Sequence, residues 1–396
     1  MPKRVQERLA LGLMAVLIVV AVISFVTLTG GGDGEESGDL RAQAQAFGLA
    51  PLPPVPGADS LRPEEIELGK LLYFDPRLSG DGSTSCASCH NPELGWGDGN
   101  AISRGYPGTL HWRNSQTILN AVYLDKLFWA GEALTLEAQA KSALTGALAQ
   151  NLDPTLAEER LRQAPEYVRR FEDVYGTLSP QWPDTLTAIA AFEHTVVSTN
   201  VPFDRWIAGD DGALSEEALS GLELFIGRAG CVQCHSGPLF TDEGFHALDV
   251  PSNTEFERSP LRQIALRWQV LARGVSEEEF RTATEDAGLF YTTKQETDRG
   301  RFRTPPLREV AITGPYMHNG VLTTLLDVIV FYNEGGGEGP NTSGVLSPLS
   351  LSAGEIDALV AFLEALTGDP IIIEPPALPP YEALPVSPAT TQGEQP

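Results

Sequence analysis

Two five-residue stretches, Cys86-Ala87-Ser88-Cys89-His90 and Cys231-Val232-Gln233-Cys234-His235, constrain this chain more than anything else in it. Each is a C-x-x-C-H, the spacing at which c-type haem is attached. Two thiols one turn apart can each form a thioether with one of the two vinyl groups of a single haem. The histidine that follows brings its imidazole under the iron as the proximal ligand. The chain has four cysteines, and the two motifs use all of them. A zinc half-site or a C-x-x-C redox pair is the competing reading. Zinc would want two pairs close together and no fixed histidine, whereas these pairs start 145 positions apart. The motifs therefore specify a di-haem c-type cytochrome, with Cys86, Cys89, Cys231 and Cys234 as covalent attachment points and His90 and His235 as iron ligands. Whether it only carries electrons or also does chemistry depends on what surrounds the motifs.

At 396 residues the chain can bury one or two sizeable cores. Its 27 basic and 53 acidic residues give a net charge of −26, before haem propionates add more. That argues against nucleic acid and anionic membrane surfaces as partners. It suits a small basic redox partner drawn in by long-range attraction, or simply a solubilising surface. At the start of the chain Lys3, Arg4 and Arg8 precede an uncharged run from Leu9 to Thr29. As a helix that run would rise about 30 Å, the thickness of a bilayer core. Basic residues ahead of it keep the N-terminus inside and send the rest out. A cleaved signal peptide is the alternative, but Ser24-Phe25-Val26-Thr27 is a poor cleavage site. The expectation is a signal-anchor or transmembrane helix within residues 1–30. Residues 9–29 would hold the protein to the inner membrane, with its working part on the periplasmic side of a bacterial envelope. Residues 31–60, rich in Gly, acidic residues and Pro, read as a flexible linker. The Pro-rich tail, residues 369–396, wraps the surface or stays disordered.

Between these ends the pattern is mainly α, with few and short strand signals. Helices are expected at Pro63–Tyr73 before the first motif, Leu156–Tyr175, Asp184–Thr199, and Ser215–Phe225 before the second, with Ser215 as N-cap. A last helix starts at Ser352, where Ser352 and Glu355 form a capping box and Ile356, Leu359, Val360 and Leu363 share an apolar face, and Gly368 ends it. A helix before each C-x-x-C-H implies two cytochrome-c-like haem domains with long loops, residues 61–200 and 201–368.

Five further stretches, in order, resemble the bacterial di-haem cytochrome c peroxidases and the related MauG enzymes. They are Leu68-Gly69-Lys70 to Phe74-Asp75-Pro76-Arg77-Leu78-Ser79; Arg113-Asn114-Ser115 to Leu119-Asn120-Ala121; and Phe128-Trp129-Ala130-Gly131 to Leu136-Glu137-Ala138-Gln139-Ala140. Then come His235-Ser236-Gly237-Pro238-Leu239-Phe240-Thr241-Asp242, and Gly300-Arg301-Phe302-Arg303-Thr304-Pro305 to Pro315-Tyr316-Met317-His318-Asn319-Gly320. The resemblance spans about residues 62 to 367. It implies a peroxide-reacting haem on His90 and an electron-transferring haem on His235. It makes Trp129 the residue that passes electrons between them and Gln139 a distal-pocket amide. It also implies one calcium ion held by Asn114, Thr313 and Pro315, an oxygen donor set suited to a hard cation. His318 matches a pocket residue near the second haem, and His246 reads as structural.

Three positions separate this chain from the peroxidase branch. The axial Met of the second haem in peroxidases falls 14 residues after His318, on Tyr332, and the MauG branch has Tyr there. Leu325, Val328, Ile329 and Tyr332 fall at helical spacing, so Tyr332 shares an apolar face. A Tyr packed in the core and Met317 as ligand are the alternatives. The loop histidine that ligates the first haem at rest is replaced by Tyr106, and His111 could substitute only if the loop were re-threaded. The family's distal Glu, ten residues after the Gln, falls on Ala149, and the adjacent Gln150 cannot exchange protons. Glu132, Tyr106 or a water held by Gln139 would have to serve. The leading expectation is a cytochrome-c peroxidase-type oxidoreductase that uses hydrogen peroxide and draws electrons from a cytochrome c or a protein substrate. A non-catalytic di-haem electron carrier and a di-haem oxygenase are the alternatives.

Overall fold

Proline and small polar caps write the helix starts of this chain. The computed structural model describes residues 36–106, 108–254, 258–339 and 344–382. In order, the helices are α1 Glu36–Ala46, α2 Pro63–Phe74, α3 Leu136–Thr145, α4 Pro154–Arg162 and α5 Pro165–Tyr175. They continue with α6 Trp182–Glu193, α7 Pro202–Ile207, α8 Glu216–Ile226, α9 Pro260–Ala272 and α10 Glu277–Thr282. The last are α11 Phe290–Thr293, α12 Leu325–Asn333 and α13 Ala353–Glu364. Pro63, Pro154, Pro165, Pro202 and Pro260 each open a helix, where the missing N–H costs nothing. Ser215 caps α8 by accepting from the Ala218 N–H at 3.1 Å, and Ser352 and Glu355 cap α13 as expected. Described strand is confined to one antiparallel pair, β1 Phe245–His246 with β2 Phe302–Arg303.

The architecture is mainly helical, but part of the expected fold class needs correcting. The membrane-spanning helix expected over residues 9–29 lies outside the described residues. No helix among the described residues is long and apolar enough to cross a membrane. The longest of them, α9, has 13 residues, a rise of about 20 Å against the roughly 30 Å of a bilayer core. Residues 36–46, expected within a linker, form α1, because Leu40, Arg41, Ala42, Gln43, Ala44 and Gln45 are strong helix formers. The single helix expected over 156–175 is two, because Pro165 cannot continue α4 and restarts as α5. Residues 47–396 form one compact unit, and α1 belongs to another, residues 1–46.

Two helix crossings organise the larger unit. α2 packs against α6, and α8 packs against α13. Both crossings need a glycine. A Cβ on Gly69 would lie 1.8 Å from the Ala188 carbonyl oxygen, and one on Gly221 would lie 1.9 Å from that of Ala358. Each crossing carries an aromatic cluster. Tyr73 and Phe192 meet at 5.0 Å with Trp96 beside them, and Phe225 and Phe362 meet at 5.0 Å with Phe240 beside them. The C-x-x-C-H motifs follow α2 and α8.

Candidate haem centres

The same local construction holds both motif histidines. Each C-x-x-C segment forms a single 3-10 turn, Cys86–Ser88 and Cys231–Gln233. The His90 N–H then donates to the Cys86 carbonyl at 3.0 Å, and the His235 N–H to the Cys231 carbonyl at 2.9 Å. In the second motif Cys231, Cys234 and His235 face one cavity. Each ring is fixed by its Nδ1, which lies 3.2 Å from the Trp96 carbonyl oxygen for His90 and 2.9 Å from that of Phe240 for His235. A carbonyl can only accept, so Nδ1 carries the proton and Nε2 keeps its lone pair, as a haem ligand requires. Burial lowers the pKa of both imidazoles and keeps them neutral.

The two carbonyls are aimed by an unusual backbone. Trp96 has φ of 59° and Phe240 of 56°, both left-handed, and their side chains are 1% and 0% exposed. A bulky residue in that region is strained unless its surroundings hold it. Here the aromatic clusters of the two helix crossings do so. Sequence reasoning missed Trp96 and Phe240, because a backbone carbonyl leaves no trace in residue type. It also missed Tyr73, whose hydroxyl donates to the His90 carbonyl at 2.9 Å.

The second motif opens on a cavity of about 610 Å³, lined by Cys231, Cys234 and His235 and, among others, by Trp129, Met317, His318 and Tyr332. That volume suits a cofactor site, and the residues present fit a covalently held haem. The expected face of α12 is there: Val328, Ile329 and Tyr332 line the cavity. Burial raises the pKa of the Tyr332 hydroxyl, and the Cys231 and Cys234 thiols add to it. Met317 and Tyr332 share the cavity. His318 is stacked on Phe302 at 3.7 Å, and burial pushes its pKa down to about 4. His246 lines the cavity with Nε2 3.6 Å from the Cys234 sulfur and 3.8 Å from Asp242. A thioether at Cys234 removes the thiolate that a metal site there would need.

Trp129 stands between the motifs. Its indole N–H donates to the Asn114 carbonyl at 3.0 Å, and the next residue, Ser115, donates its hydroxyl to the Cys89 carbonyl at 2.9 Å. Two hydrogen bonds and one peptide therefore run from the first motif to the wall of the second cavity. The Asn114 N–H donates to the His318 carbonyl at 2.8 Å, while its side-chain Nδ2 donates to the Asn100 carbonyl. Thr313 closes the turn after Val310–Ile312, and Pro315 follows Gly314 through a cis bond.

A family model described as di-haem cytochrome c peroxidase matches residues 63–212. The cytochrome-c peroxidase IdrP1 of Denitromonas iodatirespirans is 54% identical over 84% of this chain and 89% of its own length. The chain belongs to the di-haem cytochrome c peroxidase and MauG family. The methylamine utilization protein MauG of Methylorubrum extorquens is 37% identical over 86% of this chain and 89% of its own length. The crystal structure of a MauG-like protein associated with microbial copper homeostasis superposes with a TM-score of 0.65 at 30% identity, over 81% of this chain and 93% of that one. The protein is therefore a peroxidase-type oxidoreductase whose cofactor is haem c.

Within this family fold, the structure narrows the choice of proton-handling groups. Glu132 is not a spare acid. The Arg113 guanidinium pairs with Asp286 at 2.6 Å and with Glu132 at 2.8 Å, and Arg273 reaches the same Glu132 oxygen at 2.8 Å. Burial pushes the Glu132 carboxyl up, but Arg113 and Arg273 outweigh it and hold it below the ordinary carboxylate range. His111 is stacked on Trp112 at 3.8 Å, and burial and Arg113 push it down to about 3. Its Nδ1 accepts from the Arg113 N–H at 3.3 Å, which leaves the proton of the neutral ring on Nε2. Gln150 is buried and accepts from the Thr84 hydroxyl. Tyr106 is brought directly to the segment lacking the acid, its N–H donating to the Ala149 carbonyl at 2.8 Å. Gln139 sits half-buried on α3, one turn beyond the Thr135 cap.

Proposed function

We propose that this protein reduces hydrogen peroxide at the haem held by His90, with electrons entering through the haem held by His235. The donor is a small basic cytochrome c or a residue of a protein substrate. The path from Cys89 through Ser115, Asn114 and Trp129 to the second cavity carries this reading. Haem, when bound, supplies the redox chemistry, and the chain's residues hold, orient and connect. Trp129 is the relay, fixed by its bond to Asn114. Tyr106 and Gln139 line the peroxide side and position the bound molecule and its protons in place of the absent Glu. Tyr332 would be a further protein ligand to the iron of the C-terminal haem, a role supported by its place on the wall of the cavity that Cys231, Cys234 and His235 also line. Asn114, Thr313 and Pro315 would hold one calcium ion; the Asn114 amide already donates through Nδ2, which leaves Oδ1 as its acceptor for a hard cation. The two haem modules are residues 61–200 and 201–368, and they work on the periplasmic side of the bacterial envelope.

The test is stopped-flow absorption on the full-length, haem-loaded protein mixed with one equivalent of peroxide and then with reduced cytochrome c. Peroxide should change the haem spectrum at once, and cytochrome c should discharge it. In Trp129→Phe the discharge should slow by about tenfold or more, while cyanide binding to the first haem stays as in the parent. A parent protein inert to peroxide and to cyanide would sink the reading and leave an electron carrier. Discharge at the parental rate in Trp129→Phe would remove the relay.

A further inference from the structure

Residues 369–382 are anchored along the rest of the chain. The Asp369 N–H donates to the Thr199 carbonyl at 2.9 Å, and Ile371, Ile373 and Leu378 pack against the core that contains Tyr73, Trp96 and Phe192. Farther on, Arg77 donates to the Pro379 carbonyl at 2.8 Å and lies 4.8 Å from the Tyr381 ring centroid, and the Glu382 N–H donates to the Gln163 carbonyl at 3.0 Å. Residues 369–382 thus form a strap that runs from the last helix of the second module across the first. Near its start the Trp96 indole N–H donates to the Ile371 carbonyl at 2.9 Å. The carbonyl of that same Trp96 accepts the His90 Nδ1 proton.

We propose that this C-terminal strap is a positioning element of the first haem centre: through Ile371 and Trp96 it fixes the hydrogen bond that orients His90 and tunes its donation to iron. The strap holds the indole, the indole holds a left-handed backbone, and that backbone aims the carbonyl. A hydrogen bond from Nδ1–H to a carbonyl makes the imidazole a stronger donor and favours ferric over ferrous iron. Loosening the strap weakens the bond and raises the reduction potential of the first haem. The second haem supplies an internal control. Its carbonyl comes from Phe240, whose side chain has no hydrogen-bonding group and is held by Phe203, Phe225 and Phe362. The proposal rests on haem being held at His90 and is independent of any peroxide chemistry.

The experiment is a spectroelectrochemical titration of both haems in the full-length holoprotein, in Trp96→Phe, and in a chain ending at Gly368. Phe keeps an aromatic ring and the backbone carbonyl and removes the indole N–H together with the pyrrole half of the ring system, so the truncated chain, which leaves the Trp96 side chain intact, is the paired control. Both variants should shift the ferric-to-ferrous ratio of the first haem about tenfold toward ferrous at a fixed potential, 59 mV for a one-electron couple. The second haem should stay in place. A first haem that does not move in Trp96→Phe overturns the proposal, as does an equal shift of both haems, which would mean general loosening. A shift in Trp96→Phe but not in a folded truncated chain also overturns it, because the indole would then act without the strap. Should the truncated chain fail to fold, Ile371→Gly with Ile373→Gly in the full-length chain, which loosens the strap from the core, takes its place and the same outcomes decide.

Discussion

Glu193 shows how much one buried side chain can add to this protein's pH response. It closes α6 inside an apolar run and is 4% exposed. Burial, with Glu137 adding to it, pushes its carboxyl up to about 8. The native state therefore keeps a proton that the unfolded chain releases near the ordinary Glu pKa. Between those two values the native state binds more protons, so its stability falls as pH rises, by about 1.4 kcal/mol per pH unit for this group. Below the unfolded pKa the penalty is absent, and above the folded pKa it is constant. Unfolding by denaturant at pH 5 and pH 8 should show a larger loss in the parent holoprotein than in Glu193→Gln, which cannot titrate. Equal losses in the two proteins would mean that Glu193 is ionised in the fold. Nothing in the residue pattern announced this group, because its environment is assembled from α2, α3 and α6 and from the first motif.

At the scale of elements, the helix crossings explain why both motifs work the same way. Gly221 on α8 lets the Ala358 carbonyl of α13 approach where a methyl group would overlap it. Gly221→Ala must push the helices apart, disturbing the cluster of Phe225, Phe240 and Phe362 that aims the Phe240 carbonyl at His235. A loss of about 1–3 kcal/mol is expected from overpacking, read as a lower midpoint in urea at unchanged slope. The α-band and Soret spectrum of the second haem should change while the first stays as it was. An unchanged midpoint would show that the crossing has slack. Much of this layer was legible. α2, α8 and α13 were readable from capping residues and spacing, as was the apolar face of α12 with Tyr332, because each is a local signal. What was not legible is non-local or conformational. Pro165 splits a helix that periodicity alone would continue, and α9 carries exposed Leu261, Ile264 and Trp268 opposite its buried face, so its pattern is not amphipathic.

For the whole molecule, the attachment chemistry was fixed by two short motifs, and their placement in one fold decides what they can do together. Sequence alone names Trp129, Asn114 and Cys89, but only the folded chain joins them, through Ser115, into a path of hydrogen bonds to the second cavity. The strap was visible only as proline content, since its anchors are backbone carbonyls meeting Trp96 and Arg77. Charge acts at this same scale. A chain with a net charge of −26 surrounds itself with a negative potential that extends about a Debye length, roughly 10 Å at 0.1 M salt. Such a field accelerates encounter with a basic donor and slows an acidic one. The second-order rate of peroxide-driven oxidation of a basic cytochrome c should therefore fall by about tenfold or more between 10 mM and 500 mM salt. With an acidic cytochrome c the rate should rise or stay level over the same range. The rate of peroxide reaction without donor should be insensitive to salt, because hydrogen peroxide is neutral. A basic donor whose rate ignores salt would show that the acidic surface serves solubility alone and that docking depends on contacts formed after encounter.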